Sequence, residues 1–202
     1  MDAQTYPSSW LVLLAQLPSK PSSARVALWR RMRAAGATAV VNGSWMLPRT
    51  PAHEDFFEQS CESVSRRGGT AFVLRVTGSS PESDESIVRL FQSDRSREYD
   101  EFAERCGALL NEINRESTAE KYTFAEMEES EQDLKKLARW LAKIQARDFF
   151  PNERRDKSAA LLAECRRALR GFSQAVYKAE GVQDSAAGWD HPITLAPDPE
   201  ER

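Results

Sequence analysis

The sequence predicts an α+β protein, with a ferredoxin-like β-α-β-β-α-β domain followed by an antiparallel helical bundle. Three observations predict it. Up to about residue 78, four short β-rich runs alternate with two helical segments. An Asn-Gly dipeptide separates the second run from the third. Beyond residue 86 the apolar residues recur in steps of three and four, the period of an amphipathic helix.

The elements follow in order. WLVLLAQL (10–17) is a short apolar run ended by Pro18, a length that suits a buried strand. Pro21, Ser22 and Ser23 open a helix, with a serine as N-cap. It runs to Ala35, and Gly36 lies just past its end as a C-cap. TAVV (38–41) and SWML (44–47) are strands joined at Asn42-Gly43, where both residues tolerate the positive φ of a type I′ hairpin turn. Thr50-Pro51 starts the second helix, with Pro at its first position and one apolar face of Phe56, Phe57, Cys61 and Val64. Gly68-Gly69 ends it, and TAFVLRV (70–76) is the last strand. This order is the split βαβ arrangement, an antiparallel sheet with two helices on one face. Its other face needs a cover, either the later helices or a second copy of the chain.

GSSPESDES (78–86) reads as a linker, giving domains at 1–78 and 87–180 and a flexible tail at 181–202. Tyr99, Phe102, Cys106, Leu109 and Ile113 form one helical stripe. Leu134, Leu137, Leu141 and Ile144 form a second, and Leu162, Cys165, Leu169, Phe172 and Val176 a third. Three such helices with short connections predict a bundle.

Composition narrows the function. The apolar fraction of 41% and charged fraction of 29% are those of a globular protein. No apolar run is long enough to span a membrane, and no basic region precedes an apolar one at the N-terminus. A cytoplasmic location with no membrane partner is therefore expected. Cys61, Cys106 and Cys165 form no CxxC pair, and each lies on a helical apolar stripe, as core residues do. His53 and His191 are far apart, which leaves little for a metal site. No cofactor or metal is expected, and no enzyme. Phosphate-binding loops, G-x-S-x-G and H-E-x-x-H are missing. The predicted strands carry no acidic pair for a nuclease, and Glu126, Glu128, Glu129 and Glu131 cannot all converge from one helix.

The net charge of −3 is unevenly spread. Residues 1–78 carry nine Lys/Arg against five Asp/Glu, whereas 79–148 carry eleven against seventeen. In the helix over 22–35, Leu28, Trp29 and Met32 span the arc that faces the sheet. Arg30 and Arg31 fall outside it and Arg33 at its edge, with Lys20 and Arg49 in nearby loops. These five residues form a basic surface suited to a phosphate backbone, or simply a solvated helix face. Arg25 falls within the apolar arc, in the first turn. With Lys20, Ser22 and Ser23 it could hold an oxyanion at the helix start, or it turns to solvent or to a carboxylate. RDFFP (147–151) closes the second bundle helix, with Arg154, Arg155 and Lys157 just beyond. It reads either as a capped end whose two phenylalanines plug the bundle, or as an arginine cluster (Arg147, Arg154, Arg155) that receives an oxyanion.

WLVLLAQLPSKPSSARVALWRRMRAAGA, VVNGSWMLP and RDFFP, in that order, resemble the N-terminal domain of the ChrB chromate-resistance regulators over roughly residues 9–180. The α/β part also resembles the central domain of PaaX-type repressors. The first likeness implies a transcriptional regulator that binds promoter DNA, senses chromate or a similar oxyanion, and controls an efflux operon. It also implies a second, C-terminal chromate-resistance domain in longer members, which these 202 residues are expected to lack. The competing reading is a non-enzymatic adaptor, a homodimer through its sheet without DNA contact.

Overall fold

A computed structural model describes residues 9–20 and 22–182. They form β1 (Trp10–Gln16), α1 (Ser22–Ala34), β2 (Thr38–Ala39), β3 (Ser44–Pro48), α2 (Pro51–Ser65), β4 (Thr70–Val76), α3 (Pro81–Thr118), α4 (Phe124–Ala146) and α5 (Glu153–Ala179). Two compact units result. One comprises the chain to Arg95 together with Arg147–Pro151, and the other comprises Ser96–Ala146 and the chain from Asn152.

The first unit is built on a four-stranded sheet of order β2-β3-β1-β4, antiparallel throughout. This is the order the split βαβ plan requires, so the predicted α+β class holds. Residues alternate across the sheet. Leu11, Leu13, Trp45 and Leu47 point to the face covered by α1 and α2, where they pack with Met32, Ala37 and Phe57. Trp10 and Met46 point the other way. There they pack with Val88 and Phe91 of α3 and with Phe150, which cover one end of that face. Trp10 is fully buried; its Nε1–H donates to Asp84 Oδ1 at 2.7 Å and its ring stacks on Phe91 at 5.9 Å.

Several local expectations are corrected. Residues 78–86 are not a linker, because Pro81 opens α3. Ser80 Oγ accepts from Ser83 N at 3.3 Å in an N-cap pattern. The boundary between compact units falls inside α3, at Arg95/Ser96. Phe149 and Phe150 do not plug the bundle; they pack in the first unit. β2 stops at Ala39, leaving Val40 and Val41 exposed. The turn is not type I′ either, since only Gly43 (φ 79°) has a positive φ. Ser44 Oγ bonds both the N–H and the carbonyl of Val41 at 3.0 Å, which closes the turn locally. Gly43 O accepts from Ala15 N at 2.7 Å, and a Cβ at Gly43 would sit 2.8 Å from Ala15 O. The close approach to β1 and the positive φ together demand glycine there.

The second unit is the helical bundle. The stripes of α3, α4 and α5 meet in one core that includes Phe102, Ile113, Leu137, Ile144, Leu169 and Val176. Cys106 and Cys165 are fully buried within it, and Cys165 Sγ–H donates to Cys106 O at 3.7 Å. Contact with the Cys165 thiol, and burial, raise the pKa of Cys106. Cys61, half-buried in the first unit, is also pushed up, by burial and then by Glu58. Thiolate is the reactive form. Because Cys106 and Cys165 are fully buried, a disulfide reagent on the native protein is expected to titrate Cys61 alone, slowly at neutral pH and faster as the pH rises past the ordinary thiol range. All three thiols should react in denaturant. A second native thiol reacting as fast as Cys61 would contradict this packing. The tail expected beyond Gly181 and the helix-opening Pro21 lie outside the described residues, as does His191.

Candidate nucleic-acid interface and oxyanion sites

α1 carries most of the predicted site residues, and its buried arc differs from the expected one. Met32 is buried, with Ala24, Leu28 and Ala35 half-buried around it, while Trp29 is 53% exposed. The alanines set the arc. At about 100° per residue, Ala24 and Ala35 flank Leu28 on the side away from Trp29, so the helix rolls onto them. Arg25 and Arg31 are left at the two margins.

Arg25 turns back to its own loop. Its Nη1 donates to Pro18 O at 2.8 Å and also to Ser19 O. It is exposed rather than held in the apolar arc. Arg31 leans toward α2, where its guanidinium lies 5.1 Å from the centre of the Phe56 ring and donates to Gln59 Oε1 at 3.4 Å. Arg33 pairs with Asp94 at 3.6 Å, and Thr38 Oγ1 donates to the same carboxylate at 2.9 Å. Arg30 projects into solvent. Of the three arginines in the last turn of α1, Arg30 is the one with no side-chain partner among the described residues.

Arg49 is not available as a bare charge. Its Nε donates to Glu54 Oε1 at 2.7 Å, and Arg75 Nε reaches the same oxygen at 3.0 Å. The Arg49 hydrogen bond, reinforced by Arg75, holds Glu54 below the usual carboxylate range. Lys20 is placed better. It lines an open groove of about 440 Å³ with Pro18, Ser23, Ala24, Ala27 and Arg67. Arg67 was not among the sequence candidates. The Arg66-Arg67 pair ahead of Gly68-Gly69 is the signal that marks it, since α2 must deliver the start of β4 beside the end of β1.

The residues of the RDFFP corner separate. Arg147 belongs to the first unit, where its Cβ lies 2.7 Å from the position a Cβ would take on Gly36. Arg154 and Arg155 belong to the second unit. Arg154 Nε donates to Asp100 Oδ1 at 2.9 Å, and Asp100 raises the pKa of Arg154. Arg155 Nη1 donates to Gln145 O at 3.4 Å near the end of α4. Asn152 caps α5, its Oδ1 accepting from Arg154 N at 2.9 Å.

Comparison with known proteins gives a match to the family described as Protein ChrB, N-terminal, over residues 25–183. That span runs from the first turn of α1 past the end of α5. The chain belongs to this family. It is also similar to Protein ChrB of Cupriavidus metallidurans, 28% identical over 146 residues. The aligned part is 72% of this chain and 42% of that relative, so the chain spans less than half of the relative's length. The matched span takes in most of the sheet unit, from α1 onward, and the bundle. Among the described residues, no helix is long and apolar enough to cross a membrane.

Proposed function

We propose that the chain is a chromate-responsive transcriptional regulator of the ChrB kind, a DNA-binding protein without catalytic activity. The observation that carries this reading is the family match, which extends over most of both compact units. The charge distribution supports it, because the last turn of α1 carries Arg30 openly, with Arg31 and Arg33 on either side of it. Guanidinium groups arrayed on a rigid helix suit duplex phosphates. Promoter DNA is the partner, and the protein acts in the cytoplasm.

For the oxyanion we favour the groove of Lys20, Ser23 and Arg67. Two cations and a hydroxyl there match a tetrahedral dianion, and Arg25 braces the loop that carries Lys20. Arg154 and Arg155 are the second candidate, although an anion at Arg154 must displace Asp100. Arg147 in the first unit is the third.

The test is a mobility-shift titration with the promoter of the protein's own operon, with and without chromate, paired with calorimetry of chromate and sulfate. The expected result is a shift that chromate releases. Heat from chromate binding should be lost in Lys20→Ala/Arg67→Ala and kept in Arg154→Ala. No shift at low salt removes the regulator reading. Binding lost only in Arg154→Ala moves the oxyanion to the second unit.

A further inference from the structure

We propose that β4 is the pairing edge of a homodimer, in which two copies join antiparallel β4 strands about a two-fold axis at Val73 into one continuous sheet. The inference rests on the first unit alone, and its Phe72 and Leu74 contacts are independent of the oxyanion groove that Arg67 lines.

The two edges of the sheet are handled differently. β2 is only two residues long, which blunts its edge. β4 has seven residues, each in register with β1 and without a bulge, and among the described residues it has no strand on its other side. It contains no proline or lysine, and its single charge, Arg75, is tied back to Glu54. A long, regular edge without these safeguards is a template for another strand.

The side chains on its outer face are apolar and uncovered. Phe72 is 60% exposed and Leu74 44%, beside Leu14 of β1 at 39%. α3 and Phe150 cover the sheet around Trp10 and Met46 and leave this end bare. A second copy fits it by symmetry. With the axis at Val73, Phe72 of each copy lies opposite Leu74 of the other, giving two equivalent apolar pairs on one face.

Charge selects the same arrangement. Antiparallel pairing brings the start of each β4 beside the end of the other. Arg66 and Arg67 precede the strand, and the exposed Glu82 and Glu85 of the first turns of α3 follow it. At each of its two ends the dimer therefore sets two arginines of one copy toward two glutamates of the other, Glu85 being shared with Arg89 of its own helix. Among the described residues, Arg66 and Arg67 have no side-chain ion pair of their own.

The test is sedimentation velocity on the full 202-residue chain. The expected result is a dimer with a dissociation constant at or below about 10 μM, weakened by salt. Phe72→Lys/Leu74→Lys, at exposed positions, should leave the circular dichroism and melting curve unchanged and raise that constant at least about tenfold. Arg66→Glu/Arg67→Glu and Glu82→Arg/Glu85→Arg should each dimerise poorly alone and form a heterodimer when mixed. A monomeric wild type, or a dimer undisturbed by the two lysines, overturns the proposal. Failure of the mixed variants to recover overturns the Val73-centred register.

Discussion

Trp10→Ala is expected to cost the first unit about 3–5 kcal/mol, the range for truncating a large buried aromatic side chain. Trp10 is the anchor between the sheet and the start of α3. Its indole is wholly buried, stacked on Phe91 at an interplanar angle of 15° and packed at 5.8 Å against Phe150. Truncation leaves a cavity lined by these rings and by Met46 and Val88. It also takes the Nε1–H donor away from the Asp84 carboxylate, which lies beside Gly78. Trp10→Phe separates the two contributions. It keeps most of the stack and loses the hydrogen bond to a charged acceptor, so a cost of about 2 kcal/mol is expected. Urea unfolding followed by circular dichroism measures both. A loss below about 1 kcal/mol for alanine would mean that α3 is not docked on this face through Trp10.

The sheet was legible because its signals are local. Short, β-rich apolar runs such as WLVLLAQL and TAFVLRV, with Gly and Pro between elements, specify strands without reference to the rest of the chain. The bundle was legible for the same reason, through stripes such as Leu162–Val176. What failed was ambiguous or distant. Ser80-Pro81-Glu82-Ser83 has linker composition, yet the same residues make an N-cap with Pro at N1. In α1, Trp29 outweighs alanine in any hydrophobic count, but packing close to a sheet favours the small residue, and Ala24 and Ala35 took the inner face. Phe149 and Phe150 lie beside α4 in sequence and join the sheet unit over a separation of more than a hundred residues, for which no periodic signal exists. The arginines show the same limit. Their positions on α1 were readable, but their states depend on Phe56, Gln59 and Asp94, which tertiary packing brings to them.

Replacing Arg30, Arg31 and Arg33 together by alanine is expected to weaken DNA binding equally across sequences, because phosphate contacts carry no base information. If all three touch phosphates, the log–log salt slope should fall in magnitude by about 0.9 per contact, or about 2.7 in total. Their neighbours make the three residues separable. Arg30 has no side-chain partner among the described residues, so Arg30→Ala should leave the melting temperature unchanged and remove one contact. Arg31 holds its guanidinium over Phe56, so Arg31→Lys keeps the charge while giving up the planar stack. Its slope should then match wild type even if stability drops slightly. Arg33 is shared with Asp94, and a phosphate must compete for it, so its contact is the weakest of the three. A triple variant that loses only about 0.9, with the same loss in Arg30→Ala, assigns the interface to Arg30 alone. Unchanged affinity and slope remove α1 from the DNA surface and turn attention to Lys20 and Arg67 in the adjoining groove.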